Sequence, residues 1–144
     1  MLKSMTLDRL VRNFEVLGNW EERYRYIIQM GKKLPVMPEE DKTEDNRVTG
    51  CISRVWLTHQ IAENEAGATT LTFVADSDAH IVKGLIAILL MLFSGRTPAE
   101  ILAVNIEDVF TRLGLDRHLS PNRRNGFVSM LEKIRKLAVE TAAA

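Results

Sequence analysis

The sequence predicts an α+β fold in which several helices pack on one face of a small antiparallel sheet of two to three strands. Three observations predict it. Apolar residues recur at three- and four-residue steps before residue 31 and again after residue 80, the period of amphipathic helices. Between those regions, Val55 to Ile61 and Thr69 to Val74 are rich in β-branched and aromatic residues, and Asn64-Glu65-Ala66-Gly67 between them is a turn that makes them a hairpin. With 144 residues, 46% of them apolar, one domain spanning 1–144 can bury a core without staples.

The elements follow in order. Leu7, Leu10, Val11, Phe14 and Leu17 define a first helix that Gly18-Asn19 stops. A second begins at once, with Trp20, Tyr24, Ile27, Ile28 and Met30 on its apolar face, and ends near Gly31 because Pro35 and Pro38 forbid continuation. Trp20 and Tyr24 are read as core. Residues 35 to 46 carry two prolines and five acidic residues and form a surface loop. Arg47-Val48-Thr49 is the stretch that would add a short third strand, which leaves the sheet at two to three strands. After the hairpin, Asp76-Ser77-Asp78 offers capping side chains to a central helix that is apolar over most of its circumference, from Ile81 to Phe93. Thr97-Pro98-Ala99-Glu100 is a capping box opening a short helix, Glu107 to Leu113 form another, and Ser120-Pro121 starts a long C-terminal helix striped by Phe127, Met130, Leu131 and Ile134.

Composition excludes some roles. The net charge is zero, which gives no electrostatic reason to bind nucleic acid or an anionic membrane. The longest apolar run, Leu85 to Phe93, is far shorter than the roughly 20 residues that span a bilayer. The N-terminus lacks a basic-then-apolar secretion signal, and the one cysteine suits a reducing compartment, so a cytoplasmic protein is expected.

That cysteine is the candidate chemical centre. Cys51 is the only one in the sequence, so it cannot form an internal disulfide, and an iron-sulfur scaffold role is disfavoured because a cluster needs three or four ligands. An unpaired cysteine is commonly a small buried hydrophobe. Gly50, immediately before it, tolerates backbone angles that would let a loop tip present the thiol and serve as a hinge. A different reading makes Cys51 the nucleophile of a thiol hydrolase or transferase with a histidine base. His59 argues against it, because on an extended chain it lies up to roughly 26 Å from Cys51, while sequence cannot place His80 or His118. No metal site and no cofactor site are read.

Four blocks carry a resemblance. Gly50-Cys51-Ile52-Ser53-Arg54-Val55-Trp56 is similar to the Gly-Cys-x-Ser-x-Val-Trp signature of the SufE family of sulfur acceptor proteins, including its CsdE branch. Trp20-Glu21-Glu22-Arg23-Tyr24, Asp76-Ser77-Asp78-Ala79-His80-Ile81-Val82-Lys83-Gly84-Leu85 and His118-Leu119-Ser120-Pro121-Asn122-Arg123 resemble further family segments, in the same order. Ala75 departs from the glycine that many members carry before Asp-Ser-Asp. The resemblance implies a fold like that of iron-sulfur scaffold proteins. It implies that Cys51 accepts sulfur as a persulfide from a pyridoxal-phosphate cysteine desulfurase (SufS/CsdA-like), stimulates that partner and passes the sulfur to an iron-sulfur assembly scaffold. The protein would be a carrier and activator, monomer or homodimer, and not an independent enzyme. Arg123 is a secondary candidate for positioning the thiol or the partner.

Overall fold

A computed structural model describes residues 6–50 and 53–143. Among the described residues two strands, β1 (Val55–Glu63) and β2 (Thr69–Ser77), form an antiparallel hairpin, accompanied by seven α-helices and one short 3-10 turn at Glu39–Asp41. The α-helices are α1 (Leu7–Leu17), α2 (Trp20–Lys32), α3 (His80–Phe93), α4 (Pro98–Ala103), α5 (Ile106–Leu113), α6 (Leu115–His118) and α7 (Pro121–Ala143). The expected α+β class is what the chain adopts.

Local chemistry explains most boundaries. Thr6 and Asn19 accept hydrogen bonds from the N–H groups of Arg9 and Glu22, capping α1 and α2, and Thr97 and Glu100 make the reciprocal capping box of α4. In the hairpin turn the Asn64 side chain accepts from the N–H groups of Ala66 and Ala68, each at 3.0 Å. The register is regular from Val55 opposite Ser77 to Glu63 opposite Thr69. Both strands are longer than their apolar runs, because backbone pairing extends through Glu63 and Ser77 where side-chain patterning has stopped.

Three sequence expectations are corrected. Arg47-Val48-Thr49 is not a strand: Val48 N–H reaches Val55 C=O at 2.9 Å and Leu57 N–H reaches Asn46 C=O at 2.8 Å, giving one isolated bridge between Arg47 and Trp56. A turn in which Asn46 and Arg47 donate to Thr43 and Glu44 bends the chain away before a ladder can extend. Asp76 and Asp78 do not cap α3, whose N-cap position is Ala79. Only Ser77 acts in that way, accepting from Ala79 N–H at 3.2 Å, and both carboxylates are engaged in ion pairs. Trp20 and Tyr24 pack against the core but are only half-buried, because the face they share also meets His118 at the end of α6 and Arg123 at the start of α7. The turn α6 had no apolar period of its own to announce it.

The core lies between α3 and the helix-facing side of the hairpin. Every residue of α3 from Gly84 to Phe93 is buried, with Leu85 and Leu89 at 1% exposure. Val55, Leu57, Leu71, Phe73 and Ala75 cover it from the sheet, and Phe127, Met130 and Ile134 from α7. Where α2 crosses α3 the backbones nearly touch. A Cβ on Gly84 would fall inside contact distance of the Ile27 carbonyl, and one on Gly31 would lie 2.6 Å from the Gly84 nitrogen. Only glycine permits this crossing.

Candidate functional site

Residues of three resemblance blocks, far apart in sequence, line one cavity of about 400 Å³, and the fourth block reaches it through Tyr24 beside Arg123. Its apolar wall is built by Val82 and Leu85 of α3 and by Phe127 and Met130 of α7. Its polar lining comes from Ser53 just before β1, and from Ser120, Asn122 and Arg123 where α7 begins. Tyr24 of α2 joins the same cluster, with the Arg123 guanidinium 5.6 Å from its ring centroid.

Cys51 and Ile52 lie outside the described residues. Gly50, their neighbour on one side, has φ +91°, a conformation that residues bearing a Cβ resist, and a Cβ there would stand 2.5 Å from the Ser129 hydroxyl of α7. Ser53, on the other side, lines the cavity. Of the two described neighbours of Cys51 and Ile52, Gly50 thus lies against α7 and Ser53 against the cavity.

Beyond Ser53 the chain is anchored by Asp78. Its carboxylate accepts from Arg54 N–H at 3.1 Å and from Arg54 Nε at 3.3 Å, while its own N–H donates to Arg54 C=O at 3.3 Å. Asp76 anchors the acidic loop, with Lys42 Nζ at 3.2 Å and Lys83 Nζ at 3.4 Å. Burial of Asp76 opposes its charge, but the Ser77 N–H together with the two ammonium groups outweighs it and holds the carboxyl below its ordinary value. Lys42 is held protonated above its usual range by hydrogen bonds to Glu39 and Asp76. Lys42 Nζ and the Arg54 guanidinium each lie 5.7 Å from the Trp56 ring centroid, so the indole links the two anchors.

The histidines have other surroundings. His118 stacks on Trp20 with centroids 4.2 Å apart, and Trp20 meets Tyr24 edge-on at 6.5 Å. His59 is exposed on β1 and His80 opens α3. Among the described residues, no three His, Cys, Asp or Glu side chains group in a way that could hold a metal ion.

The family model described as the Fe-S metabolism associated domain SufE matches residues 8–138. The chain belongs to the SufE family. It is 48% identical to a protein of Rhizobium meliloti described as an uncharacterized SufE-like protein, over 92% of this chain and 94% of that one. A second such SufE-like protein, from Rhizobium etli, is 45% identical over 96% and 93% of the two chains. The solution structure of a hypothetical protein from Thermus thermophilus shares the fold with a TM-score of 0.71, at 20% identity over 96% of each chain. Membership connects this SufE-family chain with iron-sulfur metabolism. No helix among the described residues is long and apolar enough to cross a membrane.

Sequence reasoning singled out Gly50 and Arg123 but missed Ser129, the walls Val82 and Met130, and the Arg54 to Asp78 anchor. The signal for the anchor was present, since both residues belong to resemblance blocks. Ser129 lies in no block and is brought to Gly50 only by the docking of α7.

Proposed function

We propose that this protein is a sulfur acceptor and carrier: Cys51 takes sulfur from the persulfide of a pyridoxal-phosphate cysteine desulfurase, stimulates that enzyme, and delivers the sulfur to iron-sulfur cluster assembly. In the step, the Cys51 thiol loses its proton and the thiolate attacks the outer sulfur of the donor's persulfide. The donor's sulfur-sulfur bond breaks, its cysteine leaves as a thiolate, and a persulfide remains on Cys51. No net oxidation occurs, because one sulfane sulfur changes owner. With no second cysteine in the chain, nothing internal can attack that persulfide and close a disulfide.

One observation carries this reading: Ser53, on one side of Cys51 and Ile52, lines a cavity with both apolar and polar walls, and Gly50, on the other side, lies against Ser129 of α7. Apolar surroundings disfavour a thiolate and slow oxidation, whereas a partner's site can restore reactivity. Gly50 serves as the hinge between a sheltered and a docked position of the thiol. Arg123, in the polar part of the lining, positions the thiol or meets the partner. The cysteine desulfurase is the immediate partner and the assembly scaffold the downstream one, with transfer taking place in the cytoplasm.

Incubation with an active desulfurase, cysteine and pyridoxal phosphate should add one sulfur mass to Cys51 and none to a folded Cys51→Ser variant. Full stimulation of desulfurase turnover by Cys51→Ser would sink the carrier reading. The sheltered position is checked by alkylation: Cys51 should react more slowly in the free protein than after docking to an inactive desulfurase. A free-protein rate equal to that of an unfolded peptide thiol would remove it.

A further inference from the structure

The two edges of the hairpin are treated differently. The outer edge of β2 is covered, since Leu71 exchanges hydrogen bonds with Gly95 and Arg96 at 2.7 and 2.9 Å and Phe73 N–H donates to the Ser94 hydroxyl at 2.9 Å. On β1, Val55 C=O and Leu57 N–H point away from β2, toward Val48 and Asn46. Main-chain groups alternate sides along a strand, so those of His59, Ile61 and Glu63 point outward as well. None of the three finds an outward partner among the described residues. Residues His59 through Glu63 are all exposed, Ile61 at 60%. The window contains no proline or lysine, the devices that usually blunt an open edge, and instead presents isoleucine at its centre.

We infer that this edge pairs with the same edge of a second copy of the chain, joining two hairpins into one four-stranded antiparallel sheet. The register follows from the ends of the window. Toward the N-terminus Leu57 is already taken by Asn46, and toward the C-terminus Asn64 begins the turn. Among the described residues this leaves the outward groups of the window 59–63 unclaimed, and a two-fold axis through a five-residue antiparallel window must pass at its middle residue, Ile61. Ile61 then faces its own copy, and His59 lies directly opposite Glu63 of the other chain, twice over. Each of these pairs is of the hydrogen-bonded kind, so the outward N–H and C=O groups left over by the fold are all used. The imidazole and carboxylate are complementary where two like charges would repel, and the apolar side chains meet on the axis. The contact is small for a protein interface, so the dimer should be weak and dependent on concentration.

The register makes the test sharp. In a Cys51→Ser background, Ile61→Cys should cross-link under mild oxidation, because hydrogen-bonded strand partners lie about 5.5 Å apart at Cα, within disulfide reach. Glu63→Cys should not, since its own copy is two positions off the axis on each strand. Sedimentation over a wide concentration range should show a monomer-dimer equilibrium in the unaltered chain. Ile61→Pro, which removes an N–H that no intramolecular bond uses, should abolish that equilibrium while circular dichroism stays unchanged. His59→Glu should weaken association by about tenfold, and adding Glu63→Lys to it should restore association. A chain that stays monomeric at every concentration overturns the inference and leaves the edge to a strand of some other protein. A dimer indifferent to Ile61→Pro, or cross-linking of Glu63→Cys as readily as Ile61→Cys, overturns it too.

Discussion

The crossing of α2 and α3 and the surroundings of the cavity each include family-block residues, yet they are held by opposite means. At the crossing, Gly84 lies against the Ile27 carbonyl and α3 is buried all round, so the geometry rests on close packing that cannot yield without a large cost. At the rim, Gly50 rests against a serine hydroxyl, Arg54 is tied to Asp78 by a largely exposed ion pair, and Arg123 lies over a half-buried tyrosine. Each such contact is worth little in water. Under the proposed carrier role the fold must persist while the thiol changes position, and the two demands would fall to different kinds of interaction.

Three changes break or sharpen the contrast, from the largest expected effect to the smallest. Leu89→Ala in the packed region should cost about 2–5 kcal/mol in a denaturant titration, because the side chain is fully buried and α3 cannot collapse around the gap. A loss no larger than that of an exposed substitution would mean that the centre is not packed as described. Gly50→Val at the rim should cost about 1–2 kcal/mol from its left-handed backbone angle, and should slow sulfur uptake from a desulfurase by more than that loss explains. Part of its effect is the contact with Ser129, so Gly50→Ala combined with Ser129→Ala should recover stability relative to Gly50→Ala alone. No recovery would locate the whole cost in the backbone angle.

Asp76 tests the rim's electrostatics. Its carboxyl titrates below the ordinary 3.8, so it stabilises the fold above that pH and the contribution is lost as pH falls through the lower folded value. Asp76→Asn should therefore remove less than about 2 kcal/mol at neutral pH and flatten the acid limb of the stability curve below about pH 4. An acid limb identical to that of the unaltered chain would show that Lys42 and Lys83 contribute nothing there.

The helices were legible because their signals are local. The Thr97 capping box sits within one turn of the groups it satisfies, and the apolar period of α3 reports its own burial. Misreadings arose where a side chain has a distant alternative. Asp78 beside an apolar helix looks like a cap, but Arg54, 24 residues away, offers both its backbone N–H and its guanidinium. Trp20 and Tyr24 do pack against the core, as their helical spacing suggests, but only half-buried, because the end of α6 and the start of α7 bring His118 and Arg123 to them as well.

By itself the sequence determined the α+β class, most helix boundaries, the hairpin and the presence of a lone cysteine after a glycine, since periodicity, capping and composition act over a few residues. The tertiary structure decided which of those residues share a site. The cavity, the contact of Gly50 with Ser129 and the open edge at Ile61 depend on where α7 and the 43–47 turn come to rest, and that is fixed by packing between segments far apart in the chain.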